Sequence, residues 1–287
     1  MKISRVGDVT CKLGEGPVWD PQDQALYFVD VMGSKIHRYA PATETFDVYQ
    51  TPGIVGSLGL RREGGAVVAM AGGIALFDFA TGGLTAIGDP EADRPLTQWN
   101  DGKVDPQGRF ITGTVATDMK SMICGLYSVE RGLITLLDDG FGITNGPCWS
   151  PDGSIFYVAD SVPQNIYAYD YDLDSGSVGG RRVFANTAEL GGIPDGATVD
   201  TEGRLWSAIC SAGKIACWLP DGRLDRVIEV PPTLVSSVMF GGPDLDRLFV
   251  TSIDGASLGF PSDETGGQLF VIDGLDAKGV AEPRYAG

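Results

Sequence analysis

The sequence has one histidine, His37, in 287 residues. A Ser-His-Asp or Cys-His mechanism needs an imidazole beside its nucleophile, so nucleophilic catalysis of that class has little support. Gly255-Ala256-Ser257-Leu258-Gly259 has the spacing of a nucleophile elbow. His37 lies upstream of Ser257, in the wrong order for that arrangement, and the flanks do not read as strand-turn-helix. Positive charge is also scarce. Twenty-one Lys and Arg face 38 Asp and Glu, a formal net charge of -17. A chain this acidic repels polyanions, so neither nucleic acid nor an anionic membrane is expected as a partner. No apolar run is long enough to cross a bilayer, and the first eight residues lack the apolar core of a signal peptide. The five cysteines are an odd number with no CxxC pair. A reduced, cytoplasmic protein is the expectation. No feature marks an oligomer interface, so a monomer or weak homo-oligomer is expected.

Turn residues are plentiful, with 41 Gly and 17 Pro, and they recur in a pattern. Asn145-Gly146-Pro147-Cys148-Trp149-Ser150-Pro151-Asp152-Gly153-Ser154-Ile155-Phe156-Tyr157-Val158-Ala159-Asp160 reads as a strand, a tight turn and a second strand. Copies open at Asp20, Asp105 and Asp200, and weaker ones at Arg61 and Gly241. The six turn-opening residues, with Ser150 among them, are spaced 41, 44, 45, 50 and 41 apart. A lone hairpin is marginal in water, and a period of roughly 40–50 residues made of short strands is that of a propeller blade. Six copies predict an all-β, six-bladed β-propeller with a central channel, one domain over residues 1–287. Residues 1–10 precede the first copy, and residues 3–9 are expected to supply the outer strand of the last blade and hide its edge.

Five residues before each turn opener stand Glu15, Gly56, Asn100, Asn145, Asp195 and Ser236. In a propeller these equivalent positions form a ring at one end of the channel. Two carboxylates and two amides then converge, with no Lys or Arg among the six. Oxygen donors of this kind suit a hard divalent cation such as Ca²⁺, Mg²⁺ or Mn²⁺, with Zn²⁺ compatible with the carboxylates. Asp101, in the place held by Gly after three of the other ring residues, adds an acid beside the ring. Asp170, Asp172 and Asp174 mimic an EF-hand start, but the Gly comes one place late and Arg181 holds the twelfth position, so a hairpin turn is the better reading. Asp89-Pro90-Glu91-Ala92-Asp93-Arg94 reads as a solvated loop, and His37 as an outer-strand residue.

The chain resembles the SMP-30/gluconolactonase family. The resemblance lies in Leu13-Gly14-Glu15-Gly16-Pro17, Asn100-Asp101-Gly102-Lys103, Thr144-Asn145-Gly146-Pro147 and Pro194-Asp195-Gly196, in this order along nearly the whole chain. It implies a six-bladed propeller with one divalent cation in the channel: Ca²⁺ or Zn²⁺ first, then Mg²⁺, Mn²⁺ or Fe²⁺. Carried over by motif, Glu15, Asn145 and Asp195 would be metal ligands, with Asp195 also the general base, while Asn100 and Asp101 would face the substrate. The implied reaction is metal-dependent hydrolysis of a small lactone, such as an aldonolactone, to its hydroxy acid. Two positions depart from the family pattern. Gln98 stands where sugar-lactone enzymes often carry Arg, and in Gly113-Thr114-Val115-Ala116-Thr117-Asp118 only Asp118 can replace an acid that usually comes earlier. Losing the Arg removes a donor fork suited to several hydroxyls. Hydrolysis of another ester or an organophosphate, and a non-catalytic binding propeller with a structural cation, are therefore the alternative readings.

Overall fold

The computed structural model describes residues 1–261 and 263–287. The repeat folds as read: six four-stranded antiparallel sheets, each a blade of a β-propeller. The last blade is closed by the start of the chain. Strand β1 (Lys2–Thr10) precedes the first blade. Blade 1 is β2 (Gly14–Asp20), β3 (Ala25–Asp30), β4 (Lys35–Ala40) and β5 (Thr45–Gln50), and blade 2 is β6 (Val55–Leu60), β7 (Ala66–Met70), β8 (Gly73–Phe77) and β9 (Leu84–Gly88). Blade 3 is β10 (Thr97–Val104), β11 (Phe110–Ala116), β12 (Cys124–Glu130) and β13 (Leu133–Phe141). Blade 4 is β14 (Thr144–Trp149), β15 (Ile155–Asp160), β16 (Asn165–Tyr171) and β17 (Val178–Asn186). Blade 5 is β18 (Ile193–Val199), β19 (Leu205–Cys210), β20 (Lys214–Trp218) and β21 (Leu224–Glu229). Blade 6 is β22 (Val235–Gly241), β23 (Arg247–Ser252) and β24 (Gln268–Asp273), and β1 pairs with β24 from Lys2↔Asp273 to Arg5↔Phe270.

Inner strands such as β2, β6 and β14 are buried along their whole length, because neighbouring blades cover both faces. Outer strands such as β5 and β21 are largely exposed. The core is accordingly divided into six slabs, one at each junction between blades. Trp206 and Ile215 of blade 5 pack on Phe240 and Leu248 of blade 6, and Trp19 and Phe28 of blade 1 pack on Met239 and Phe249 of blade 6. The acids that open the turns are structural. Asp105 Oδ1 accepts from the backbone N–H of Gln107 and Arg109, and its Oδ2 lies 2.8 Å from Arg109 Nη1. Asp200 repeats the arrangement with Glu202 and Arg204 and also accepts from Trp206 Nε1.

Three local expectations change or sharpen. Glu91 is buried rather than solvated, because it accepts from Tyr127 and Thr97 and pairs with Arg94. His37 is not on an outer strand: β4 is the third strand of its blade, and the ring is 6% exposed and stacked on Phe28. The segment around Asp172 is the turn between β16 and β17, with Asp172 Oδ1 accepting from Ser175 N.

The tail after β24 crosses the channel end opposite the ring. Lys278 O accepts from Thr201 N in blade 5, and Gly279 N donates to Leu245 O in blade 6. Arg284 Nη2 pairs with Asp20 in blade 1, Tyr285 N donates to Leu60 O in blade 2, and Ala286 N donates to Gly108 O in blade 3. Five blades are thus tied by one strap.

Deleting residues 1–10 exposes the edge of β24 and uncovers Val271. The loss is expected to equal that of a large core side chain, about 3–5 kcal/mol, or a melting point lower by on the order of 10 °C. Thermal unfolding followed by circular dichroism checks this, and an unchanged midpoint would show that β1 does not close the propeller.

Candidate functional site

The ring positions share a backbone feature. Along a regular strand, side chains alternate between faces, and a bulge breaks that alternation and re-aims a side chain. All six inner strands shift register at this level: between Glu15 and Val18, Val55 and Ser57, Trp99 and Gly102, Asn145 and Cys148, Pro194 and Ala197, and Val235 and Ser237. Gly56, Asn100, Asp195 and Ser236 fall within the shift, while Glu15 and Asn145 are the last paired residues before it. Gly146 shows why the residue after the ring position is small. Its φ is +56°, and a Cβ there would stand 2.7 Å from Asp195 O. Close passage of β14 against β18 thus requires glycine.

Four of the six ring side chains fall into two pairs, Glu15 with Asp195 and Asn100 with Asn145. Glu15 and Asp195 are both buried, and their carboxyl groups lie close enough to act on one another electrostatically. Glu15 Oε2 also accepts from Gly16 N at 2.8 Å. Asn100 Nδ2 donates to Asn145 Oδ1 and to Thr144 O, both at 2.9 Å. Asn145 Nδ2 donates to Ser161 Oγ at 3.0 Å, and Ser161 donates to Pro194 O at 2.7 Å, the residue before Asp195. Asp101 bridges blades 3 and 4, accepting from Gly102 N and Gly146 N, each at 2.8 Å. Of the other two positions, Gly56 adds no side chain, and Ser236 turns its hydroxyl to Gly14 O. Asn100 uses both amide hydrogens to hold its neighbours, so its carbonyl oxygen is the atom left for a ligand.

The electrostatics of this cluster are unfavourable without a cation. Burial raises the pKa of Glu15 well above the usual carboxylate range, and the like charges of Asp195 and Asp101 add to the effect. Asp195 is pushed up to about 8, again first by burial and then by the charge of Asp101. Burial raises Asp101 too, against the opposing pull of Lys103 and two backbone N–H groups. Lys103 reaches along the channel, its Nζ 2.8 Å from Glu282 Oε1 on the strap and 3.0 Å from Ala197 O. One lysine, itself paired with a fourth carboxylate, does not neutralise three more. Two buried carboxylates that act on one another, with the Asn145 amide at the equivalent position of the blade next to that of Asp195, are a donor set of the kind that fits a hard divalent cation.

Gln98 and Asp118 lie outside this cluster. Gln98 is exposed and lines a cavity of about 190 Å³ with Asp89, Glu91, Thr97 and Trp99. Asp118 caps its own turn, Oδ1 accepting from Lys120 N and Ser121 N and Oδ2 from Ser121 Oγ. Four contributors escaped the sequence reading: Lys103, Ser161, Glu282 and Cys210, a buried thiol close to Asp195. Lys103 was legible in principle, two places after Asp101 on one strand. Ser161, Glu282 and Cys210 come from other strands, turns or the tail, and no spacing connects them to the ring.

A carboxyl whose folded pKa is raised binds its proton more tightly in the native state. In metal-free protein its contribution to stability is therefore present at low pH and lost as pH rises from about 4 toward the folded value, about 8 for Asp195. Cations compete with those protons. Dialysed protein is expected to melt at a lower temperature at pH 8 than at pH 5, and excess divalent cation to raise the midpoint more at pH 8. Equal cation shifts at the two pH values in a melting series would rule out the carboxylates as the binding groups.

Residues 13–254 match the family model described as SMP-30/Gluconolactonase/LRE-like region. The chain is 34% identical to regucalcin of Xenopus laevis, covering 100% of this chain and 99% of that one. It is 34% identical to a pentonolactonase of Haloferax volcanii, covering 99% and 98%. Among solved structures, a luciferin-regenerating enzyme superposes with a TM-score of 0.91 at 29% identity, covering 100% and 99%. A calcium-binding protein, regucalcin, from Agrobacterium tumefaciens superposes with the same TM-score and identity, covering 99% and 97%. The bulged ring, the six blades and these matches lead to one assignment: the chain belongs to the SMP-30/gluconolactonase/LRE-like family.

Proposed function

We propose that this protein is a metal-dependent lactonase, with Glu15, Asn145 and Asp195 as ligands of one divalent cation in the channel. The observation that carries the reading is the pair of buried, electrostatically interacting carboxylates of Glu15 and Asp195, with the Asn100–Asn145 amide pair in the same ring. Names among the relatives support it: one is a pentonolactonase and one a calcium-binding protein. Ca²⁺ suits the oxygen donors, and Zn²⁺, Mg²⁺, Mn²⁺ and Fe²⁺ are the competitors to be ranked by titration. Five buried, unpaired cysteines favour a reducing compartment such as the cytoplasm.

When bound, the cation supplies Lewis acidity toward the lactone carbonyl and lowers the pKa of water. Ionised Asp195 takes a proton from the attacking water, whose oxygen bonds to the carbonyl carbon. The ring C–O bond then breaks, and Asp195 returns the proton to the departing alkoxide, giving the hydroxy acid. Asn100 accepts from a substrate hydroxyl through its free carbonyl oxygen. Asp101, anchored by Gly102 and Gly146, lines the substrate side and holds blades 3 and 4 in register. Gln98 and Asp118, outside the ring, are the two outer positions assigned to the substrate.

Gln98 favours a second reading of the substrate. Without a guanidinium fork the rim is less suited to a polyhydroxylated ring, so a simpler lactone or another ester fits it better than an aldonolactone.

Asp195→Ala is expected to lower kcat/KM for lactone hydrolysis by about 10²–10⁴-fold, as loss of a general base does. Glu15→Gln should lower it comparably by weakening the cation, with far-UV circular dichroism unchanged for both. Acid release that persists after EDTA treatment of folded protein would overturn the metal-dependent reading, and no hydrolysis across a lactone panel with any cation would favour the binding propeller. Gln98→Arg is expected to raise kcat/KM for aldonolactones relative to an unhydroxylated lactone by about tenfold, the value of one added hydrogen bond to a charged donor.

A further inference from the structure

A second group of ligand-type side chains lies away from the channel ring, where blade 1 meets blade 6. Cys11 stands between β1 and β2, Asp30 ends β3, and His37 is in β4. All three are buried, and each offers a ligand atom within 4.8 Å of the other two. The geometry points to a structural site for a borderline transition metal, Zn²⁺ or Co²⁺, held by Cys11, Asp30 and His37 with a fourth position for water.

Distances support this. Cys11 Sγ lies 3.9 Å from His37 Nε2. A sulfur at 2.3 Å and a nitrogen at about 2.0 Å from one tetrahedral centre stand roughly 3.6 Å apart, so the pair is within a few tenths of an ångström of a chelating span. The imidazole is already oriented. Its ring stacks on Phe28 with centroids 4.9 Å apart and planes 11° from parallel. Burial lowers its pKa and keeps the neutral, ligating form. Its other nitrogen, Nδ1, is buried without a hydrogen-bond partner. Asp30 is anchored through Oδ1, which accepts from Leu13 N and Gly33 N at 3.1 and 3.0 Å, while Oδ2 accepts no hydrogen bond from the described residues.

The repeat provides an internal comparison. Blade 4 carries Phe141, Asp160 and Tyr167 at the positions of Cys11, Asp30 and His37. There both carboxylate oxygens accept backbone N–H groups, from Gly142, Ile143 and Val162. The two aromatic rings meet edge to face, with Arg181 over each. The fold at this place thus needs only the capping acid. Blade 1 adds a thiol and an imidazole to it and leaves one carboxylate oxygen free. The donor set also differs in kind from the oxygen ring of the channel: thiolate and imidazole select Zn²⁺ or Co²⁺ over Ca²⁺. On binding, Cys11 releases its thiol proton to solvent, and the charges of thiolate and carboxylate balance that of the ion. Such a site would tie the lead-in to Glu15, four residues downstream of Cys11, to the body of blade 1.

The test is titration of the reduced, metal-depleted protein with Co²⁺, reading the near-ultraviolet thiolate-to-cobalt charge-transfer band and its displacement by Zn²⁺. Wild type and Glu15→Gln are expected to develop the band at one equivalent. Cys11→Ser and His37→Gln are expected to lose at least nine-tenths of it while keeping the wild-type far-UV spectrum. If His37→Gln does not fold, Cys11→Ala replaces it as the second variant. A wild type with no band would overturn the site. So would a band that survives in Cys11→Ser but disappears in Cys210→Ser, which would place the cobalt thiolate beside Asp195 in the channel.

Discussion

Six inner strands must approach one axis closely enough to share a ring of side chains, and each does so through a bulge at the same level of the repeat. A regular strand would send consecutive residues to opposite blade interfaces. The register shift at or directly after the ring residue breaks that alternation in every blade. Where strands pass most closely, the next residue is glycine: a Cβ on Gly196 would stand 1.8 Å from Ser237 Oγ. The six hydrophobic slabs between blades fix the angle at which each inner strand arrives. Ring geometry is therefore a property of the whole propeller, and damage at any junction reaches the site through the inner strands.

The channel holds more negative charge than its own cations balance. Glu15, Asp101 and Asp195 lie toward one end, and the Lys103–Glu282 pair lies further along. Burying like charges together is costly unless they are protonated or bind a counter-ion. This is why burial and mutual repulsion raise these carboxyls, and why the same groups form a donor set for a divalent cation. The amides of Asn100 and Asn145 contribute differently. Their hydrogen bonds to Thr144 O, Ser161 and each other orient the carbonyl oxygens without adding charge.

Closure operates at two levels. At the rim, β1 completes blade 6 and removes the exposed edge of β24. At the channel end opposite the ring, the strap joins blades 5, 6, 1, 2 and 3 and sends Glu282 inward to Lys103. The ends of the chain thus brace the same toroid from its side and from its floor.

The period of the turn openers, from Asp20 to Gly241, was enough to establish six blades, the register of the ring and the use of residues 3–9 as the closing strand. These depend on local chemistry: tight turns, alternation and a recurrent spacing. Counting back from each turn also set Glu15, Asn100, Asn145 and Asp195 at one level of the repeat, because equivalent positions in a closed repeat are related by rotation about its axis. Tertiary structure alone decided the rest. Lys103 meets Glu282 across 179 positions of chain, since the strap's path depends on which bottom turns it can bond. Asp89-Pro90-Glu91 is drawn down by Tyr127 and Trp99, partners that no local pattern names. His37 became a buried neighbour of Cys11 because the chain closes between blades 6 and 1, and proximity across a closure is set by packing rather than by spacing.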